Sequence, residues 1–360
     1  MVSVIGIWLY MIITTFITGY GVLRAMTTRH IPSYAQGCEI CIAASQHVPR
    51  AAVHAYLMCG IVCVTVYAQF FSLFAGVGLG ANLLLCAVCA YILWRYGKDM
   101  KAAAIDCLSG RRDGEGTGIR LSLFLTVGLF LLFAYGTSRG MLHYDTGLYH
   151  AQSIRWMEEY GVVKGLGNLH SRLAYNSASF ALSALYSMAF LGGRSFHCAA
   201  GFLSFILAAV CLEMIGHIRA GRLGTGDFAR IMCVYYLVNI FDEMISPASD
   251  YFMVLIAFYL VIRWLDLLEE GEQSVQPYAL LCVLGVFLMT VKLSAALILL
   301  LAIYPAIRLV REKKWRETAL YIGLGVLTAL PYFIRNVIIS GWLVYPFTQI
   351  DLFDVVWKIP

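Results

Sequence analysis

The stretch GMLHYDTGLYHAQSIRWMEEYGVVKGLGNLHSRL, residues 140–173, holds three histidines, one aspartate, two glutamates and two arginines in a chain that is otherwise mostly apolar. Three further polar interruptions stand out. NIFDEMISPASDYF carries Asp242, Glu243 and Asp250 around Pro247, and FLMTVKLSAALILL places Lys292 between two apolar runs. PYFIRNVIISGWLVYPF ends an apolar run on Arg335 and Asn336 before Trp342, Tyr345 and Pro346. Carboxylates at membrane depth are costly and usually face a protein interior or a cavity. Oxygen ligands of this kind suit Mg²⁺ or Mn²⁺, and added histidine moves the choice toward other transition metals. A lysine is a point charge for phosphate, and an arginine adds a planar fork that grips it bidentately. Carboxylates, cations and a lipid-accessible wall of aromatics together suit a lipid-phosphate substrate. Each residue also has a plainer role available. Asp250 can cap the positive start of a helix, and Lys292 can snorkel to the interface.

These residues must be positioned by membrane helices. The chain has 360 residues, 61% hydrophobic and 13% charged, with a mean hydropathy of +0.77. A soluble domain is closer to 45–50% apolar and about 25% charged. The net charge of +5 is therefore a topology signal and not a nucleic-acid footprint. Apolar runs predict about ten spans, near 2–24, 52–74, 77–95, 120–140, 196–217, 231–248, 251–268, 278–291, 293–310 and 317–338. The first has no basic start and no small-residue cleavage site, and reads as a retained helix. An eleventh apolar segment, residues 176–193, is short, serine-rich and ends in Gly-Gly. It is expected to be interfacial or re-entrant and not to cross. That choice puts the basic loops near 24–50, 95–120, 219–230 and 308–316 on one side, the cytoplasmic one by the positive-inside rule. All four polar clusters then share the outer face.

Within the outer loop, TGLYHAQSIRWMEEYGVV reads as an amphipathic surface helix. GLGNLHSRL reads as a turn in which Gly165 and Gly167 supply backbone freedom beside Asn168, His170 and Arg172. Eleven cysteines are scattered mostly through apolar segments, where cysteine behaves as a small hydrophobe. Cys86 and Cys89 read as packing. Cys38 and Cys41, near His30 and His47, form a weak metal pair.

An aspartate just after a membrane helix in the first large outer loop, surface helices after it, a Pro-x-x-Asp step at Pro247–Asp250 and a lysine between two short spans resemble the polytopic GT-C glycosyltransferases. Members of that superfamily transfer sugars from polyprenyl-phosphate donors on the outer membrane face. YDTGLYH and GLGNLHSRL also resemble a bacterial group of multi-pass proteins. The resemblance covers residues 120–346, with a single aspartate where the superfamily often has an acidic pair. It implies an all-α transmembrane bundle: helices and cytoplasmic loops over 1–119, a core over 120–346 with an outer loop at 141–193, and an outer tail at 347–360. It implies catalytic roles for Asp145, as base or metal-linked carboxylate, and Asp250. Lys292 and Arg335 would hold donor phosphate; His150, Asn168, His170, Arg172 and Tyr345 would contact substrate; Asp145, Asp242 and Asp250 would hold a divalent metal, Mg²⁺ or Mn²⁺. His143 is a further candidate ligand or acid–base group. The implied partners are membrane lipid and a polyprenyl-phosphate sugar, in cell-envelope polysaccharide or glycolipid assembly at the inner (cytoplasmic) membrane. A transporter or flippase of lipid-linked saccharide, or a non-catalytic scaffold, is the alternative. The polar-aromatic ending is consistent with a natural chain that continues past Pro360.

Overall fold

The computed structural model describes residues 1–29, 52–109 and 116–360, and those residues form helices and no strand. The helices are α1 (Val2–Arg29), α2 (Val53–Ser72), α3 (Leu79–Ser109), α4 (Gly116–Arg139), α5 (Ala151–Tyr160), α6 (Ala178–Leu185), α7 (Ala199–Cys211), α8 (Glu213–Arg219), α9 (Thr225–Asn239), α10 (Ser249–Glu269), α11 (Val275–Val291), α12 (Ile303–Arg311) and α13 (Trp315–Ser340). Among the described residues, eight helical segments are long and apolar enough to cross a membrane, and the protein is a helical membrane protein.

The bundle has two distinct ends. At one, Arg24 of α1 pairs with Asp99 of α3, His54 of α2 with Glu213 of α8, and Arg230 of α9 with Asp266 of α10. At the other, the Trp8 indole donates to the Cys198 carbonyl before α7, and Asn82 of α3 donates to the Leu185 carbonyl at the end of α6. There too Ser177 donates to the Val291 carbonyl at the end of α11. Long helices therefore shuttle between the ends, which places the 140–173, 240–250, 292 and 335–345 segments together.

The core is aromatic and close-packed. Trp8, with no exposed surface, meets Phe130, Phe202 and Phe205 with ring centroids 5.6–6.1 Å apart. Where α1 crosses α2, a Cβ on Gly19 would strike the Tyr56 carbonyl and one on Gly60 the Thr15 carbonyl. Small residues at that crossing let the backbones touch, the usual basis of helix association in lipid.

Several boundaries differ from those the apolar pattern predicts. The expected span 231–248 is α9, which starts at Thr225 and stops at Asn239. A short 3-10 turn follows at Phe241–Glu243, and Pro247 disfavours helix at the residue before it. The 293–310 segment begins as 3-10 helix over Leu293–Ala302 and becomes α-helical only as α12. In the 176–193 segment α6 has eight residues, all buried. At 1.5 Å per residue it is about 12 Å long and cannot cross a hydrocarbon core of about 30 Å. It packs inside the bundle instead of lying at the interface. An amphipathic helix forms there and is shorter than its pattern: α5 buries Ile154 and Met157 and turns Arg155 and Glu159 outward. Cys89 packs in the core and Cys86 is exposed, both as free thiols. Cys38, Cys41, His30 and His47 lie outside the described residues.

Candidate functional site

The site is assembled from two loops that dock on each other. Leaving α4, the Met141 amide donates to the Asp242 carbonyl at 2.6 Å, and the His143 amide donates to Ser246 Oγ at 2.7 Å. Gly140 allows this approach, because a Cβ there would strike the Asp242 carbonyl oxygen. The His143 ring sits edge-on to Tyr251, centroids 6.2 Å apart, and its Nδ1 accepts the Asp145 amide at 3.2 Å. Asp145 is thereby fixed to the turn that leads into Asp250.

Each of the two aspartates carries a cation. Arg172 Nη1 reaches Asp145 Oδ1 at 3.1 Å, with the guanidinium 5.5 Å from the Tyr149 ring centroid. Lys292 Nζ pairs with Asp250 Oδ1. Lys292 is in extended backbone between α11 and the 3-10 segment, so its side chain leaves the helix line and meets the start of α10. All four groups are a quarter or more exposed. Pairs this wet add little to stability, so stability gives no reason to gather them.

Between the pairs lies a buried polar face. Thr146 to His150 forms a single π turn leading into α5, a feature that recurs at functional sites. Thr146, His150 and Ser153 are buried, and their spacing of four and three puts them on one side of the helical path. Thr146 Oγ1, both ring nitrogens of His150 and Ser153 Oγ have no hydrogen-bond partner among the described residues. Buried polar atoms nearly always find a partner, so four without one on a single face are unusual. Burial lowers the His150 pKa to about 4. The charges of Asp145 and Asp250 pull it up and those of His143 and Lys292 push it down. At neutral pH the imidazole is uncharged, one nitrogen donating and the other accepting. Tyr149, between the same two aspartates, is pushed up to about 12, first by burial.

Arg335 enters from α13. It is buried, donates from Nη1 to Ser72 Oγ at 2.5 Å and from Nε to Asn176 Oδ1 at 3.4 Å, and makes no ion pair with a carboxylate among the described residues. Gln69, one turn before Ser72, is buried with both amide atoms unpartnered. Asn176 also donates to the Tyr332 carbonyl, and the adjacent Ser177 to the Val291 carbonyl. This short strap ties Arg335 to the residue beside Lys292.

Other expected site residues serve the scaffold. Asn168 Nδ2 donates to the Trp357 carbonyl at 2.7 Å, and His170 Nδ1 accepts the Arg172 amide at 3.2 Å. Tyr345 packs edge-on to Tyr175, centroids 5.2 Å apart. Asp242 contributes its backbone carbonyl, while Glu243 pairs with the Tyr251 hydroxyl. Among the described residues no group of three His, Cys, Asp or Glu side chains comes together. Asp145 and Asp250 each face a protein cation. Gly165 has the positive φ, +66°, expected of a turn glycine, but Gly167 is needed for space, since a Cβ would meet Ile359. The tail folds back: the Trp357 indole donates to the Val337 carbonyl, and Lys164 lies 3.9 Å from the Trp357 ring centroid. Residues 357–359 thus dock on the body of the protein, where the Ile359 amide also donates to the Ser340 carbonyl.

Three participants lie outside the clusters, Ser72, Gln69 and Asn176, and Ser246 lies within one without being singled out by its type. Gln69 and Ser72 do carry a signal, as polar residues within the last turn of an apolar span. No curated protein and no solved structure matches this chain. A family model described as a domain of unknown function, DUF8201, matches residues 1–360, and the chain belongs to that family.

Proposed function

We propose that the protein transfers a sugar from a polyprenyl-phosphate donor, with the end of the bundle that holds Asp145, Asp250, Lys292 and Arg335 facing the outside of the cytoplasmic membrane. In this reading α9 and α11 cross as well, making ten spans in a GT-C-like arrangement. The observation that carries the proposal is the unpartnered face of Thr146, His150 and Ser153 set between two aspartates and two cations at a bundle end. Lipid-linked substrates have their reacting atoms at that level. The acceptor O–H gives its proton to the Asp145 carboxylate as its oxygen bonds to the anomeric carbon. The bond from that carbon to the phosphate oxygen breaks, and its electron pair leaves with the polyprenyl phosphate. Lys292 and Arg335 stabilise the charge that develops there, an effect largest when the cations are held in place beforehand. Uncharged His150 donates to one sugar or phosphate oxygen and accepts from one hydroxyl. No step is routed through a metal ion.

Purified protein in proteoliposomes, given polyprenyl-phosphate sugar and a lipid acceptor, is expected to form product, and Asp145→Asn, which keeps the shape, to abolish it. Transbilayer movement of the donor without product would replace this reading with a flippase. Sidedness is tested by labelling Ser171→Cys and Gly221→Cys in a background without reactive cysteines. Only the first should react from outside, and equal labelling overturns the topology.

A further inference from the structure

Of the eight candidate spans among the described residues, Leu293–Arg311 packs least against the bundle, with 11% of its apolar stretch buried. Ala306, Ile307, Val310 and Arg311 of α12 line an open groove of about 350 Å³. Their offsets of one, four and five put them along one side of the helix, so the groove runs lengthwise for about 8 Å from Ala306 to Arg311. Three of the four are apolar, and the fourth is an exposed arginine on the last turn of α12. This turn lies at the bundle end opposite the candidate site, because Arg308 Nη2 donates at 2.9 Å to the Gln273 carbonyl in the loop after α10. From Arg308 to Glu317 the chain carries five basic and two acidic side chains. Arg308 and Lys314 share Glu312, at 3.1 and 2.7 Å. Arg311, Lys313 and Arg316 are exposed and have no ion pair or side-chain hydrogen bond among the described residues. The Lys314 amide donates to the Leu309 carbonyl and the Lys313 amide to the Val310 carbonyl, the pair of bonds that ends a helix on a left-handed residue, usually glycine. Lys313 takes that place with φ +54°, a conformation that glycine adopts at lower cost. Trp315, exposed just after it, is of the type that sits at head-group level.

We infer that the groove and the unpaired cations beside it form a binding site for an anionic glycerophospholipid. The head-group phosphate meets the Arg311 guanidinium, whose planar fork suits it, and Lys313 and Arg316 add to the positive field there. The upper part of one acyl chain lies along Ala306, Ile307 and Val310. Basic residues at a helix end are by themselves a topology signal; the apolar groove that starts at one of them makes a site. A free phosphate has nothing to place in the groove, and a zwitterionic lipid brings a cation of its own that the same three side chains repel. The inference depends neither on sugar transfer nor on which side of the membrane this end faces.

Native mass spectrometry of the full-length protein released from nonionic detergent micelles, titrated with dioleoylphosphatidylglycerol or dioleoylphosphatidylcholine, tests the inference. The first should bind about tenfold more tightly, since only it carries net negative charge. Arg311→Gln together with Lys313→Gln should weaken it about thirtyfold, the effect of two cations at an anionic head group. Ala306→Phe fills the groove without changing charge and should weaken binding as well; it carries the test if the charge variant does not fold. Arg219→Gln together with Arg222→Gln, an exposed basic pair between α8 and α9 at the same bundle end, should leave binding unchanged. Equal affinity for the two lipids overturns the inference, as does undiminished binding in the folded Arg311/Lys313 or Ala306 variant. An equal loss in the Arg219/Arg222 variant overturns it too, by making the effect a general one of basic loops. Displacement of the lipid by inorganic phosphate identifies a simple anion site instead.

Discussion

The two ends of the bundle treat charge in opposite ways. At the end opposite the candidate site, Arg230 is 1% exposed and its guanidinium is fully engaged: both Nη atoms meet the Asp266 carboxylate at 2.8 Å, and Nη2 also meets Glu213 at 2.8 Å. Arg263 supports Asp266 at 2.9 Å, and His54 bridges Glu213 and the Tyr259 hydroxyl. At the site end the ion pairs are separate and wet, while the buried groups, His150, Thr146, Ser153 and Gln69, have unpartnered atoms. A network that closes on itself holds helices in register. Groups left without partners next to charges are costly to bury.

The largest effect should come from breaking the closed network. Arg230→Met leaves Asp266 and Glu213 without their main counter-charge, and removing one partner of a buried pair costs about 3–5 kcal/mol. Thermal unfolding in detergent should show a large fall in Tm. A fall no greater than for a surface substitution would mean that this end is not closed.

At the open end, Lys292→Met should leave folding intact and lower sugar transfer on the order of a hundredfold, by analogy with loss of one preorganised donor. Arg335→Lys keeps charge without the fork and should be intermediate. Near-normal transfer in both Lys292→Met and Lys292→Gln, each folded and inserted, would remove Lys292 from the site and leave it a snorkelling residue.

A third measurement follows stability with pH. His150 and His197 are both lowered to about 4 by burial, against an ordinary value of about 6.5. Between those values the unfolded chain binds more protons than the folded one, so stability is complete above about 6.5 and falls as pH drops toward 4. Each histidine contributes a slope of up to about 1.4 kcal/mol per pH unit in that window. His150→Phe should remove its share of the slope, match or exceed the native Tm at neutral pH, and lose transfer. A variant that transfers normally would make the ring ordinary core. The smallest effect belongs to Arg172→Ala, where loss of a wet ion pair should change stability by less than about 1 kcal/mol. A drop comparable to that of Arg230→Met would erase the contrast between the ends.

Composition and the spacing of apolar runs determine that this is an all-helical membrane protein, because lipid forces every backbone polar group into a helix and helix length is set by bilayer thickness. The same logic marks Asn176–Gly193 as unlike the full-length spans and the 140–173 loop as ordered, and singles out Asp145, Asp250, Lys292 and Arg335, since charge in an apolar chain is conspicuous. Sequence could not say which charges meet. The pairing of Asp145 with Arg172 and of Asp250 with Lys292, the burial of His150, the closure of Arg335 by Ser72 and Asn176, and the docking of the tail through Trp357 all depend on contacts between segments 20 to 263 residues apart. Periodicity reports which side of a helix is apolar. Only the packing of one helix against another decides which polar atoms are satisfied, and at this site it leaves Thr146, His150 and Ser153 open.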